Sequence, residues 1–128
     1  MLSNIGASAT VLVVEDSVDT RQLFRVMLEM QGYRVVEAED GEQAVEVAAQ
    51  ESPALILMDL NLPLLSGLEA TRQIHRQAAM HDVPIVAVSA QCRGEYVQMA
   101  LDAGCLECIQ KPVDFVVMNE VVSRYMPH

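Results

Sequence analysis

Residues 54–63 read ALILMDLNLP, in which five apolar residues lead without interruption to a single carboxylate, Asp59. A strand that is covered on both faces gives such an unbroken apolar run, and this pattern is typical of parallel sheets with helices on either side. The stretch therefore predicts a buried strand that ends in an acid and stops at Pro63.

Two other segments repeat this design. Residues 10–14 (TVLVV) lead to Glu15 and Asp16, and residues 84–88 (PIVAV) lead to Ser89. In an open parallel sheet the C-terminal ends of all strands share one edge, which is where such folds place their ligand sites. Three carboxylates and a hydroxyl group are therefore expected to meet at that edge.

A cluster of carboxylates at one edge requires a nearby cation or hydrogen-bond donor, because like charges repel and resist ionisation. Lys111 is the only lysine of the chain, and it follows a short apolar run at residues 106–109. It is the candidate for that positive charge.

Helical patterns separate the apolar runs. The first predicted helix is capped by Ser17, ends at Gly32 and buries a stripe of Leu23, Phe24, Met27 and Leu28. A short strand is predicted at residues 33–37.

Capping boxes predict two further helix starts, at Asp40 with Gln43 and at Ser66 with Glu69. The last two helices are predicted at residues 93–103, closed by Gly104, and at residues 113–126. Five strand–helix units of this kind predict a parallel sheet between helices.

Five features occur in a fixed order along the chain: Glu15, Asp16, Asp59, Ser89, and Lys111 followed by Pro112. Together they resemble the receiver domain of bacterial two-component response regulators, in its chemotaxis-regulator-like single-domain form. The resemblance extends over nearly the whole chain. It implies a flavodoxin-like, doubly wound α/β fold with five strands in the order 2-1-3-4-5 and five helices. The receiver domain would comprise residues 10–126, after an N-terminal extension at residues 1–9.

The resemblance also implies a role for each residue. Asp59 would accept a phosphoryl group from a histidine kinase, a phosphotransfer protein or a small acyl phosphate. Ser89 and Lys111 would contact the phosphoryl oxygens. Mg²⁺ would be held by Asp16, Asp59 and the backbone carbonyl of Asn61, with Glu15 acting through water. The chain would be a phosphoacceptor that assists its own phosphorylation and dephosphorylation, and not an enzyme.

One position departs from the family pattern. Three residues before Lys111, where receivers usually carry a Tyr or Phe that changes rotamer on activation, this chain has Cys108. Ser89 would still move toward a new phosphoryl group and draw the following loop with it. We therefore expect switching to involve Ser89, Cys108 and the face formed by strand 4, helix 4 and strand 5, which would bind an unknown downstream protein.

Each of these residues has a simpler interpretation. Asp59 could be a turn residue, and Glu15 and Asp16 could complement the dipole of the next helix. Ser89 and Lys111 could be polar residues at a solvated edge. The complete set in one order favours the functional interpretation.

Two other function classes fit less well. Phosphatases similar to haloacid dehalogenases carry a second aspartate two residues after the nucleophile, where this chain has Asn61. A flavodoxin-like cofactor site would need a loop rich in Ser, Thr and Gly after strand 1, whereas Glu15 and Asp16 would repel phosphate. A degenerate receiver that serves only as an interaction module is disfavoured by the complete set of residues.

The composition limits the possible binding partners and the cellular location of the protein. The chain has 128 residues, 52% of them hydrophobic, and a formal net charge of −10. A single domain is expected, and direct nucleic-acid binding is disfavoured because it requires clustered Lys and Arg. Neither a signal peptide nor a membrane span is evident, so a cytoplasmic protein, monomeric or weakly dimeric, is expected.

The three cysteines, Cys92, Cys105 and Cys108, are expected to be reduced and structural. Cys105 and Cys108 form a C-x-x-C pair that enters a strand, where we expect the two side chains to point to opposite faces and not to pair. A zinc site would need a further ligand from Cys92, His75 or His81, and none of these lies at a spacing that is familiar from zinc sites.

Overall fold

The computed structural model describes residues 9–62 and 65–126. The expected N-terminal extension lies outside these ranges except for residue 9. Pro63, where we expected the third strand to stop, also lies outside them, as do residues 64, 127 and 128.

Within the described residues, five strands form one parallel sheet in the order β2-β1-β3-β4-β5, which confirms the predicted fold class. The pairing register sets Asp59 beside Val88 and Ser89 beside Gln110, so that the polar ends of neighbouring strands lie at one edge. The strands are β1 (Thr10–Val14), β2 (Arg34–Ala38), β3 (Leu55–Asp59), β4 (Ile85–Ser89) and β5 (Glu107–Gln110).

Five α-helices occur in the same described ranges. They are α1 (Val18–Glu29), α2 (Gly41–Glu51), α3 (Gly67–Arg76), α4 (Glu95–Ala103) and α5 (Phe115–Tyr125), with a 3₁₀ turn at Ala78–Met80. Among the described helices, none combines the length and the apolar character needed to span a bilayer.

The predicted N-caps are confirmed, since Ser17, Asp40 and Ser66 each accept a hydrogen bond from the backbone N–H three residues later. The reciprocal halves of the predicted capping boxes differ. Gln43 accepts from the backbone N–H of Glu39 rather than that of Asp40, and Glu69 instead pairs with arginines of its own helix.

The two faces of the sheet pack against different helices. Val11 and Val13 face a cluster with α1 and α5, whereas Leu12 and Val14 face a cluster with α2, α3 and α4. The predicted stripe of α1 is correct for Phe24, Met27 and Leu28, but Leu23 is half exposed because its direction on the helix is toward solvent.

Several predicted boundaries were wrong by one to three residues. The first helix ends at Glu29 rather than at Gly32, and β2 begins at Arg34. Helix α4 begins at Glu95, because Gly94 has a positive φ of 58° that is not helical. Helix α5 begins at Phe115, because the side chain of Asp114 caps it.

An ion-pair network fixes α1 to β2. Glu37 accepts hydrogen bonds from the Arg21 Nε, at 2.7 Å, and from the Arg25 Nε. Burial alone would raise the pKa of the Glu37 carboxyl, but the hydrogen bonds from Arg25 and Arg21 outweigh it and lower the pKa.

Glu37→Gln is expected to destabilise the protein by about 0.5–1 kcal/mol at pH 7, because it removes the charge from both pairs. Since the folded-state pKa lies below the ordinary value of 4.5, the stabilisation is complete above that value and is lost as the pH falls through the folded pKa. Urea denaturation of both proteins at neutral and acidic pH measures this difference. A difference that persists undiminished at low pH, or that also appears in the exposed-site control Glu39→Gln, would contradict it.

Candidate functional site

The site lies at the C-terminal edge of the sheet. Glu15 and Asp16 directly follow β1, Asp59 ends β3, and Ser89 ends β4. Lys111 directly follows β5. The structure thus places all five polar side chains at the edge where the sequence predicted them.

Lys111 joins two of the carboxylates. Its Nζ lies 2.8 Å from Glu15 Oε1 and 3.3 Å from Asp59 Oδ2. Its backbone N–H donates to the Ser89 carbonyl at 2.8 Å, and the Lys111–Pro112 peptide bond is cis. Burial lowers the pKa of the amine, but the hydrogen bond to Glu15 and the charges of Asp59 and Glu15 outweigh it and raise the pKa. The site therefore holds a lysine that is positively charged at neutral pH.

Both partners of Lys111 are oriented by backbone donors. Asp59 Oδ1 accepts from the Asn61 N–H at 3.0 Å, and Glu15 Oε2 accepts from the Ser17 N–H at 3.0 Å. Glu15 and Asp59 are only 1% and 3% exposed, and the lysine and these amides supply the polar partners that buried carboxylates need. The carboxylates are consequently held in defined directions.

Glu15, Asp16 and Asp59 form an acidic cluster in which one carboxylate oxygen from each lies within 4.8 Å of the others. Asp16 is exposed, in contrast to the buried Glu15 and Asp59. Closely spaced carboxylate oxygens with an opening to solvent are the donor set that a small hard cation such as Mg²⁺ prefers. The residues present therefore fit that ion, and the carbonyl role of Asn61 stays a prediction.

Ser89 is buried, and its Oγ accepts a hydrogen bond from the Gln91 N–H at 3.1 Å. Beside it lies a cavity of about 150 Å³ between the segment after β3, the end of β4, α3 and α4. The cavity is lined by Leu60, Asn61, Leu68, Ser89, Gln91, Tyr96 and Met99. Ser89 thus has neighbouring space, and its role toward a phosphoryl group stays a prediction.

Sequence reasoning missed three residues around the site. A Cβ at Gly67, the first residue of α3, would lie 2.3 Å from the Asp59 carbonyl oxygen, so only glycine lets this helix approach β3. The Arg21 guanidinium donates to the Glu15 carbonyl at 2.8 Å. Tyr96 places an aromatic ring beside the Ser89 cavity. Only Gly67, next to a predicted cap, gave a local signal.

The expectation of three reduced cysteines was wrong. A disulfide joins Cys92 to Cys108 across a sequence separation of 16 residues. Cys108 pairs with Ala87 of β4, and the loop after β4 brings Cys92 back over that pair of strands. This proximity depends on the fold and has no signature in the spacing of the cysteines.

Cys105 is the buried structural cysteine that was expected, and it does not pair with Cys108. The reason given for this was incorrect. Cys105 precedes β5, so it is not subject to strand alternation, and both residues pack on the same side of the sheet. Burial raises the pKa of the Cys105 thiol to about 11, although a hydrogen bond with Thr71 lowers it slightly.

Comparison with known proteins gives consistent results. The sequence profile of the response regulator receiver domain matches residues 11–123. The polar-differentiation response regulator DivK of Brucella ovis is 32% identical over 117 residues, which cover 91% of this chain and 95% of DivK.

Solved structures agree with that match. The chemotaxis protein CheY4 of Vibrio cholerae has a TM-score of 0.88 at 27% identity, over 91% of this chain and 98% of its own. The receiver domain of the sensor histidine kinase PA1611 of Pseudomonas aeruginosa, with a magnesium ion coordinated in its active site cleft, has a TM-score of 0.86 at 34% identity. This match covers 93% of this chain and 98% of that domain.

Proposed function

Because the chain belongs to the response regulator receiver domain family, we propose that it is a phosphorylation switch whose phosphoacceptor is Asp59. The observation that carries this proposal is the bridge from Lys111 to Asp59 and Glu15 at the edge of the sheet. It provides a carboxylate nucleophile beside a fixed positive charge, which is what phosphoryl transfer to an acid requires.

In the proposed reaction, a carboxylate oxygen of Asp59 forms a bond to phosphorus. The bond from phosphorus to the donor breaks, and the donor, a histidine nitrogen of a kinase or phosphotransfer protein or the oxygen of a small acyl phosphate, leaves with the electron pair. Lys111 would stabilise the charge that spreads over the phosphoryl oxygens, and Ser89 would donate a hydrogen bond to one of them. Stabilisation of the charge on the transferred phosphoryl group is thus shared between an amine and a hydroxyl group.

We further propose that the acidic cluster holds Mg²⁺ through Asp16, Asp59 and the Asn61 carbonyl, with Glu15 acting through water. When bound, the ion would neutralise the repulsion between the carboxylates and the incoming phosphate. The oxygen geometry of the cluster supports this, as does the magnesium ion in the cleft of the PA1611 receiver domain.

The output surface is proposed to be the face of β4, α4 and β5. The apolar side chains Tyr96 and Met99 of α4 are 49% and 46% exposed, which suits a protein partner. We propose that the chain acts in the cytoplasm as a phosphoacceptor that assists its own phosphorylation and dephosphorylation, and not as an enzyme acting on other substrates. A monomer or weak dimer would suffice for this.

Incubation with acetyl phosphate and Mg²⁺, followed by intact mass measurement, tests the proposal. The expected product carries one added phosphoryl group, and tandem mass spectrometry should locate it on Asp59. Omission of Mg²⁺ should slow its formation strongly. An unchanged mass with Mg²⁺ present, at donor concentrations that saturate related receivers, would overturn the proposal.

Asp16→Asn is expected to weaken Mg²⁺ binding by roughly tenfold or more, and Glu15→Gln by clearly less. Asp16 is exposed and able to meet the ion directly, whereas Glu15 is already engaged by Lys111 and the Ser17 N–H. Isothermal titration calorimetry with Mg²⁺ on the two variants and the wild type gives the order of their affinities. Equal affinities for Asp16→Asn and the wild type would contradict the assignment.

A further inference from the structure

The disulfide Cys92–Cys108 crosslinks two segments that the proposed switch requires to move. Cys92 lies in the loop of residues 90–94, between β4 and α4, and Cys108 lies in β5. Both residues are half-buried, so the bond lies near the protein surface rather than in the core. The crosslink therefore connects the loop after Ser89 with the strand that leads to Lys111.

Hydrogen bonds from Gln110 act in parallel with the crosslink. Its side-chain Oε1 accepts from the Cys92 N–H at 2.9 Å, and its Nε2 donates to the Ala90 carbonyl. The loop is also bonded to the end of β4, since the Gln91 N–H donates to Ser89 Oγ. With the disulfide closed, the loop is consequently fixed to β5 by one covalent bond and two hydrogen bonds.

We propose that Cys92 and Cys108 are a redox modification site, a thiol–disulfide pair whose closure restrains the loop of residues 90–94 and thereby restricts its response to phosphorylation. The restriction of the response rests on the proposed function of Asp59, whereas the existence of the pair does not. The closed form is the restrained state, and the dithiol form is the responsive one.

The physical basis is the movement expected of Ser89. A phosphoryl group on Asp59 brings new acceptor oxygens, and we expect the Ser89 hydroxyl to turn toward them and away from the Gln91 N–H that it now accepts from. The loop must follow, and a covalent bond from Cys92 to β5 opposes this far more than hydrogen bonds that water can replace. Reduction leaves only the Gln110 contacts, so the same phosphoryl group can displace the loop further.

Closure is a balanced thiol–disulfide exchange with a small-molecule disulfide such as glutathione disulfide. The thiolate of one cysteine attacks a sulfur of the external disulfide and releases one thiolate. The thiolate of the other cysteine attacks the protein sulfur of this mixed disulfide and releases the second. The protein loses two electrons and two protons, and the external disulfide becomes two thiols. A dithiol reductant reverses the reaction.

Cys105 does not compete for either partner. It is 3% exposed and contacts Thr71 Oγ1 at 3.8 Å, so it lies in the core beneath α3. Its thiolate is scarce at neutral pH because burial raises the pKa of the thiol to about 11. Exchange should therefore give a single pairing, and Cys105→Ala is a matched control that removes a thiol without affecting the crosslink.

The first test concerns the pair itself. Native protein is treated with glutathione disulfide or with dithiothreitol, alkylated without unfolding and mapped by mass spectrometry. We expect alkylation of Cys92 and Cys108 only after reduction, and reversal on reoxidation. Amide hydrogen exchange at residues 90–94 should be roughly tenfold faster in the reduced protein. Cys92→Ala should match the reduced wild type under both conditions, and Cys105→Ala should remain redox-sensitive. Failure to form the pair, or equal exchange in both forms, would overturn the proposal.

The second test concerns coupling to the site. Backbone amide NMR spectra are recorded with and without beryllofluoride and Mg²⁺, in both redox forms. We expect the chemical-shift changes at residues 89–94 to be at least about twice as large in the reduced form, and equal in both conditions for Cys92→Ala. Equal changes in both forms of the wild type would overturn the coupling. If neither form binds beryllofluoride or accepts a phosphoryl group, the proposed function fails and the coupling with it, whereas the exchange measurements still decide the restraint.

Discussion

Asp59→Asn is expected to abolish phosphorylation by acetyl phosphate and Mg²⁺, leaving no detectable mass addition. The amide keeps the size of the carboxyl group and can still accept the Asn61 N–H, but it lacks the anionic oxygen that attacks phosphorus. Intact mass over a time course measures the loss. The fold should persist, because Lys111 retains Glu15 as a partner and the acidic cluster loses one of its repelling charges.

Asp40→Asn is the matched control for that experiment. Asp40 caps α2 through its side chain, a role that Asn fills about equally well, and it is not part of the acidic cluster. The control should therefore be phosphorylated at the wild-type rate. Phosphorylation that continues in Asp59→Asn would contradict the assignment of the phosphoacceptor, and tandem mass spectrometry would then show which residue carries the group.

The fold was predictable because the sequences of its strands are compatible with few environments other than a buried parallel sheet. The apolar runs that became β1, β3 and β4 are buried throughout, and an unbroken run of five such residues fits the centre of a parallel sheet and little else. The helix starts at Ser17, Asp40 and Ser66 were also local, since each cap needs only a side chain and an N–H three residues later.

Features that depend on tertiary contacts were harder to predict from the sequence. The exposure of Leu23 depends on how α1 rotates against the sheet, which the helical period leaves open within one residue. The late start of α4 depends on the positive φ of Gly94, for which a glycine in a polar segment is weak evidence.

The edge residues of the site were predictable from strand direction alone, because parallel strands must end together. The disulfide was not, because Cys92 and Cys108 approach each other only after β4 and β5 have paired and the intervening loop has folded back. Gly67 illustrates the same limit, since its requirement comes from a carbonyl oxygen of another element.

Lys111→Met is expected to slow phosphorylation by acetyl phosphate about 10²- to 10³-fold, the usual effect of removing one preorganised charge from a transition state. Methionine retains a flexible apolar chain, so the main change is loss of the amine that contacts Asp59 and Glu15. Lys111→Arg should recover only part of the rate, because the planar guanidinium cannot occupy the position of a compact ammonium group. Single-turnover phosphorylation followed by mass spectrometry compares the variants.

The control for Lys111→Met is Arg76→Met, at an exposed helix position that pairs with Glu69. Each substitution makes the net charge one unit more negative, from −10 to −11, so a general effect of charge would appear in both. Only Lys111→Met should slow the reaction. Its Mg²⁺ affinity should at the same time rise, since a repelling cation has left the acidic cluster. A slow reaction accompanied by weaker Mg²⁺ binding would instead mean that the site had lost its structure and that Lys111 acts by holding the carboxylates in place.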